Sequence, residues 1–176
     1  MKNFSVHPLM IALSITLLML IGCGGHKAND QTQVRRCDVD FTVKIKDGIT
    51  FDQLLNMHNY DWTDPDINGK NFTIDKPHHA SLCIMEFTDS LITKEKADSL
   101  LATEGLVSAS ASELLAFDHR DLDSENPTIM ALGTAFNSSG IDGFLCLDGK
   151  NLQLRPMSSE NMLVSTADCA FLAKRK

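Results

Sequence analysis

The chain has no basic excess, no apolar run long enough to cross a bilayer, and none of the short patterns that mark common catalytic centres. With 16 Lys and Arg against 23 Asp and Glu, its formal charge is −7. It therefore lacks the electrostatic footprint that a phosphate backbone requires, and nucleic acid is set aside as a partner. The one basic run, Lys174-Arg175-Lys176, is too short to alter this. No Gly-x-Ser-x-Gly places a serine on a strained turn, no His-Glu-x-x-His offers two imidazoles to zinc, and no glycine loop is built to cradle phosphate. No two cysteines stand at a CxxC-like separation, which removes the usual cysteine metal signatures. Internal repeats and low-complexity tracts are absent as well, so the chain reads as neither a solenoid nor a disordered polymer.

What is present begins at the first residues. Lys2, an apolar stretch from 8 to 21 and the small Gly22 follow the three-part order of an export signal. A membrane-spanning helix needs about 20 apolar residues at roughly 1.5 Å each. This stretch holds 14 and runs into glycines and polar residues, so it is expected to be a signal and not a permanent span. Leu20-Ile21-Gly22-Cys23 then resembles the lipobox of bacterial lipoprotein precursors. The resemblance implies that the Cys23 thiol takes a diacylglyceryl group, that the chain is cut before it, and that the new amine is acylated in turn, with palmitate-type chains. Each buried methylene contributes about 0.8 kcal/mol, so two or three chains hold a protein stably at a membrane. Gly24, in place of an Asp, resembles the sorting pattern of lipoproteins bound for the outer membrane in cells with two membranes. The plainer alternative is a secretory signal with an incidental cysteine.

Cleavage before Cys23 leaves 154 residues with 15 Lys and Arg against 23 Asp and Glu, a net charge of −8, which suits one domain and a tether. Residues 24–36 are polar, without apolar periodicity, and are expected to form that tether. At full extension its 13 residues reach about 45 Å. A single globular domain is expected over 37–176. Cys37, Cys83, Cys146 and Cys169 permit two disulfides in three connectivities. Pairing of Cys37 with Cys169 would join the first and last strands, whereas Cys83 and Cys146 lie in apolar runs where cysteine also serves as a small hydrophobe.

Hydrophobic periodicity predicts the elements. Residues 39–46 alternate as a half-buried strand. Thr50 with Gln53 forms a capping box that opens a helix through His58, and 61–75 is a loop. A strand over 81–87 precedes a helix capped by Thr93, running to Glu104 and stopped by Gly105. Ser110 with Glu113 caps a third helix, and the acidic residues 118–126 form a solvated loop. Strands follow at 128–133, 143–147, 152–155 and 169–174, the middle pair turning at Asp148-Gly149-Lys150. Three short helices interleaved with a small mixed sheet, ending in hairpin strands, make an α+β domain.

Tyr60-Asp61-Trp62, the helix after Ser110, Pro127-Thr-Ile-Met-Ala-Leu-Gly133 and the ending Cys169-Ala-Phe-Leu-Ala-Lys-Arg-Lys176 are together similar to a family of bacterial hypothetical proteins. That family carries YDW, TLEELLAL-like, PIVALGS-like and RFLAVRK-like segments, and the resemblance spans roughly residues 50–176. It implies common ancestry without assigning an activity or a catalytic residue. The chain departs from the family in its lipoprotein signal and in lacking an aromatic run over 157–164. The order of helix, strand, hairpin and terminal strand is also similar to C-type-lectin-like bacterial domains, an analogy of layout alone.

Asp64-Pro-Asp66-Ile-Asn68-Gly69, with Asp75 beyond, places oxygen side chains at positions 1, 3, 5 and 12 of a calcium loop and glycine at position 6. Asp75 is short for the last position, Phe72 stands at position 9 and Pro77 blocks an exiting helix, so a solvated acidic turn is the plainer reading. His78, His79, His58 and His119 offer imidazoles to a transition metal, but adjacent histidines on an extended chain point to opposite sides, and an exposed loop accounts for the pair. Asp118, Asp121, Asp123 and Glu125 have the composition of a charged loop, whereas general acid catalysis needs one carboxyl in an apolar setting. Tyr60 and Trp62 would serve either as core anchors or as a stacking surface. These residues lead to the expectation of a lipid-anchored envelope protein that binds a protein or glycan without catalysing a reaction. The alternative is a metal-dependent (calcium) or hydrolytic envelope enzyme.

Overall fold

The computed structural model describes residues 34–36, 40–88, 91–117, 128–138, 141–157, 164–165 and 169–176, and Thr32–Lys176 make one compact unit. Its elements are β1 (Val34–Arg36), β2 (Phe41–Ile45), α1 (Phe51–Leu55), β3 (Trp62–Thr63), β4 (His78–Phe87), β5 (Leu91–Ile92), α2 (Lys94–Thr103), β6 (Leu106–Ser108), α3 (Ala111–Ala116), β7 (Thr128–Ser138), β8 (Ile141–Asp148), β9 (Asn151–Met157), β10 (Val164–Ser165) and β11 (Cys169–Arg175). The fold is α+β. Among the described residues, nine strands form one mixed sheet in the order β1-β4-β11-β7-β8-β9-β3, with β2 also on β4 and β6 on β11. β11 runs parallel to β7 and β3 parallel to β9, and the other pairs of this sheet are antiparallel.

The central strands β4, β11, β7 and β8 each hold a run of consecutive buried residues because both faces of the sheet are covered there. Leu82 and Ile84 of β4, with Ala170 and Leu172 of β11, pack beneath α1 and α3 against Leu54, Leu114 and Leu115. The alternate residues Cys83, Met85, Phe171 and Ala173 meet Ala97 and Leu101 of α2 on the other face. This division by residue parity decides which polar side chains at the strand ends share a side.

Local signals place the helices where expected. Both capping boxes form, Thr93 caps α2, Gly105 takes a positive φ of 71° after α2, and Gly149 one of 57° in the β8–β9 turn. Element lengths depart from expectation. α1 ends at Leu55, not His58, because Met57 N–H bonds back only three residues to the Leu54 carbonyl and tightens the chain out of the helix. β4 begins at His78, so His78 and His79 lie on a strand and not in an exposed loop; pairing of Ile45 with His78 and Lys44 with His79 holds them there. Val34–Arg36, assigned to the tether by composition, pair with β4, and β3 interrupts the expected loop over 61–75. β7 runs past Gly133 to Ser138 through a register shift between Ala131 and Ala135. Trp62 is 48 % exposed and so no core anchor, since β3 meets the sheet edge through two residues and no layer covers it. Cys23, Cys37, the acidic residues 118–126 and His119 lie outside the described residues.

Candidate functional site

The bulge in β7 builds the start of α3. Gly133 N–H donates to the Ala109 carbonyl at 2.8 Å, Ala109 N–H donates to the Leu172 carbonyl at 2.9 Å, and Ala111 N–H donates to Thr134 Oγ1 at 3.2 Å. Ser110, held between these bonds, caps α3 by accepting from Glu113 N–H at 3.1 Å, and its own N–H donates to Glu113 Oε2 at 2.8 Å. A capping-box glutamate ordinarily sits at the surface. Glu113 has no solvent exposure because α3 lies on the sheet face that carries the even-numbered residues of β4 and β11.

On that face stand His78, at the start of β4, and Lys174, near the end of β11. His78 Nε2 and Lys174 Nζ both donate to Glu113 Oε1, each at 2.7 Å. His78 Nδ1 donates to the Lys76 carbonyl at 2.7 Å. A carbonyl and a carboxylate only accept, so this arrangement favours a His78 ring protonated on both nitrogens. Its pKa is raised accordingly, first by the Lys76 carbonyl and then by the Glu113 carboxylate, against a smaller opposing effect of burial. Burial pushes the Glu113 carboxyl upward, but bonds from Lys174, the Ser110 backbone and His78 outweigh it and hold the group below the usual carboxylate range. Asp75 completes the group: its N–H donates to Ser112 Oγ at 3.1 Å and its Oδ2 accepts from the Ser110 hydroxyl. Asp75, His78 and Glu113 bring three potential metal-ligand atoms within 4.8 Å of one another.

The residues expected to form a calcium loop are divided between two places. Asp64 Oδ1 accepts from Asp66 N–H at 3.0 Å, and Asn68 Oδ1 accepts from Lys70 and Asn71 N–H at 3.0 and 3.3 Å. Those oxygens brace the turn itself, while Asp75 faces Ser110. Asp64 and Asp66 also line an open groove of about 360 Å³ together with Phe136, Ile141, Leu154 and Pro156. Trp62 precedes Asp64 by two residues, and Tyr60 is half-buried. A second pocket, of about 240 Å³, sets Lys44, Lys46 and His58 around Ile49, Leu54, Met57 and Ala116.

Glu113 was legible in the sequence only as a cap, and Lys174 as the end of the last strand and the start of a terminal basic run. Both had a usable signal, since Lys174 continues the inward-facing series Ala170, Leu172 and implies a buried acid opposite it.

The fold and this cluster define an α+β protein with a buried glutamate between its sheet and one helix, paired with a half-buried histidine and lysine. Set against known proteins, the chain matches no family model, no curated protein and no solved structure. No helix among the described residues is long and apolar enough to cross a membrane.

Proposed function

We propose that this is a lipoprotein of the bacterial cell envelope, held at a membrane by acyl chains on Cys23, which binds a protein or glycan partner without catalysing a reaction. The observation that carries the reading is Leu20-Ile21-Gly22-Cys23 at the end of a signal-like apolar stretch. The outer membrane is the destination in a cell that has two. The groove lined by Asp64 and Asp66 supports the binding role: two carboxylates and four apolar side chains line it, and the exposed Trp62 stands two residues before Asp64 in the chain. A second reading, a metal-dependent or hydrolytic envelope enzyme, draws on the convergence of Asp75, His78 and Glu113.

Mass spectrometry of the protein purified from its own membranes is expected to find a triacylated or diacylated Cys23 as the first residue. Cys23→Ser is expected to leave the membrane fraction for the soluble one. A Cys23→Ser chain that stays as firmly membrane-bound as the parent would remove the anchor and the location with it. Crosslinking in the envelope followed by pulldown tests the partner, and enrichment of one protein or glycan that Trp62→Ala loses is the expected outcome.

A further inference from the structure

We propose that Asp75, His78 and Glu113 bind one divalent ion of the zinc type, and that the Lys174 ammonium holds the ion's place in the metal-free chain. The three residues supply one imidazole nitrogen and two carboxylates, donor types that zinc accepts at about 2.0–2.2 Å. Their ligand atoms already lie within 4.8 Å of one another, so small side-chain movements bring them to a common centre.

Each donor residue is also held by a hydrogen bond from a neighbouring group. The bond from His78 Nδ1 to the Lys76 carbonyl directs Nε2 at Glu113, the orientation that metal-binding histidines adopt when their other nitrogen donates to a backbone carbonyl. Ser110 N–H ties down Oε2 of Glu113 and leaves Oε1 toward His78. The Ser110 hydroxyl ties down Oδ2 of Asp75 and leaves Oδ1 unclaimed by that bond. One serine thus orients both carboxylates.

The charges balance. Two carboxylates and a neutral imidazole present −2 to a dication. On binding, the Nε2 proton leaves to solvent and its lone pair forms the coordinate bond. Lys174, 29 % exposed on a flexible four-carbon stem, turns out to water. His78 is also 29 % exposed, so the ion has a path in, and three protein ligands leave a fourth tetrahedral position for water. The site is independent of the lipid anchor. It also differs from the calcium loop expected from sequence, because it takes Asp75 into a nitrogen-containing set that suits a softer ion than calcium.

The test is calorimetric titration of Zn²⁺ into the full chain, with the absorption of bound Co²⁺ as a second readout of coordination. One ion per chain is expected. His78→Ala and Asp75→Asn are each expected to weaken binding at least about tenfold. Lys174→Met is expected to tighten it at least about tenfold, because the ammonium no longer competes with the ion for Glu113 Oε1. A purely structural ion network would give the opposite result, with Lys174→Met destabilising the chain and leaving metal affinity where it was. Asp75→Asn keeps an oxygen for the Ser110 hydroxyl and so remains a folded test if His78→Ala does not fold. Zn²⁺ affinity unchanged in Asp75→Asn, or no tighter in Lys174→Met, overturns the proposal.

Discussion

Tyr60 is the chain's single tyrosine, and burial raises its phenol pKa above the ordinary value near 10. The folded state therefore favours the neutral phenol, so its contribution to stability is present below pH 10 and is lost as pH rises past that value. Tyrosinate absorbance is expected to show no step near pH 10 while the fold persists, then to rise together with alkaline unfolding. An ionisation step near 10 in a chain whose circular dichroism is still native would contradict the burial. Glu113 shows the opposite balance, a buried carboxylate kept charged by its neighbours. Its capping role was legible because a capping box is encoded within four residues. Its burial was not, because the partners that make burial tolerable lie 35 and 61 residues away, in His78 and Lys174.

At the level of elements, the β7 bulge is what turns a helix start into a site. A Cβ on Gly133 would stand 2.6 Å from the Ala109 carbonyl oxygen and 2.8 Å from that of Ser108, both backbone atoms of residues that pair with β11 through Ala109 N–H and the Ser108 register. Gly133→Ala is expected to destabilise the protein by about 1–3 kcal/mol, the usual cost of forcing atoms into a packed region. Urea unfolding measures it, and a midpoint equal to the parent's would show that the bulge yields freely. The sequence marked this glycine only as the end of a strand, since a bulge arises from the pairing of two chains and leaves no period of its own. The central strands were legible as apolar runs, but their ends were not. His78 and His79 are polar, and what makes them strand is the partner β2 drawn up beside them. The expected loop over 61–75 hid β3 for the same reason, two residues being too few to show alternation.

At the scale of the whole molecule, Thr32–Lys176 form a compact unit without the first 31 residues. A chain beginning at Thr32 is expected to unfold in a single transition within a few degrees of the full-length protein, measured by differential scanning calorimetry. A loss of cooperativity would mean that the leading segment is needed for the fold. The chain's own order of residues determined the α+β class, the caps, the turns and the lipobox-like segment, because each is written in a stretch short enough for local sterics and hydrogen bonds to decide. Only the tertiary structure decided that Asp75, His78, Glu113 and Lys174 meet, that Trp62 stays in solvent and that Asp75 leaves the acidic turn. Those outcomes depend on which sheet face α3 covers and on strand register across long separations, and no local pattern carries that information.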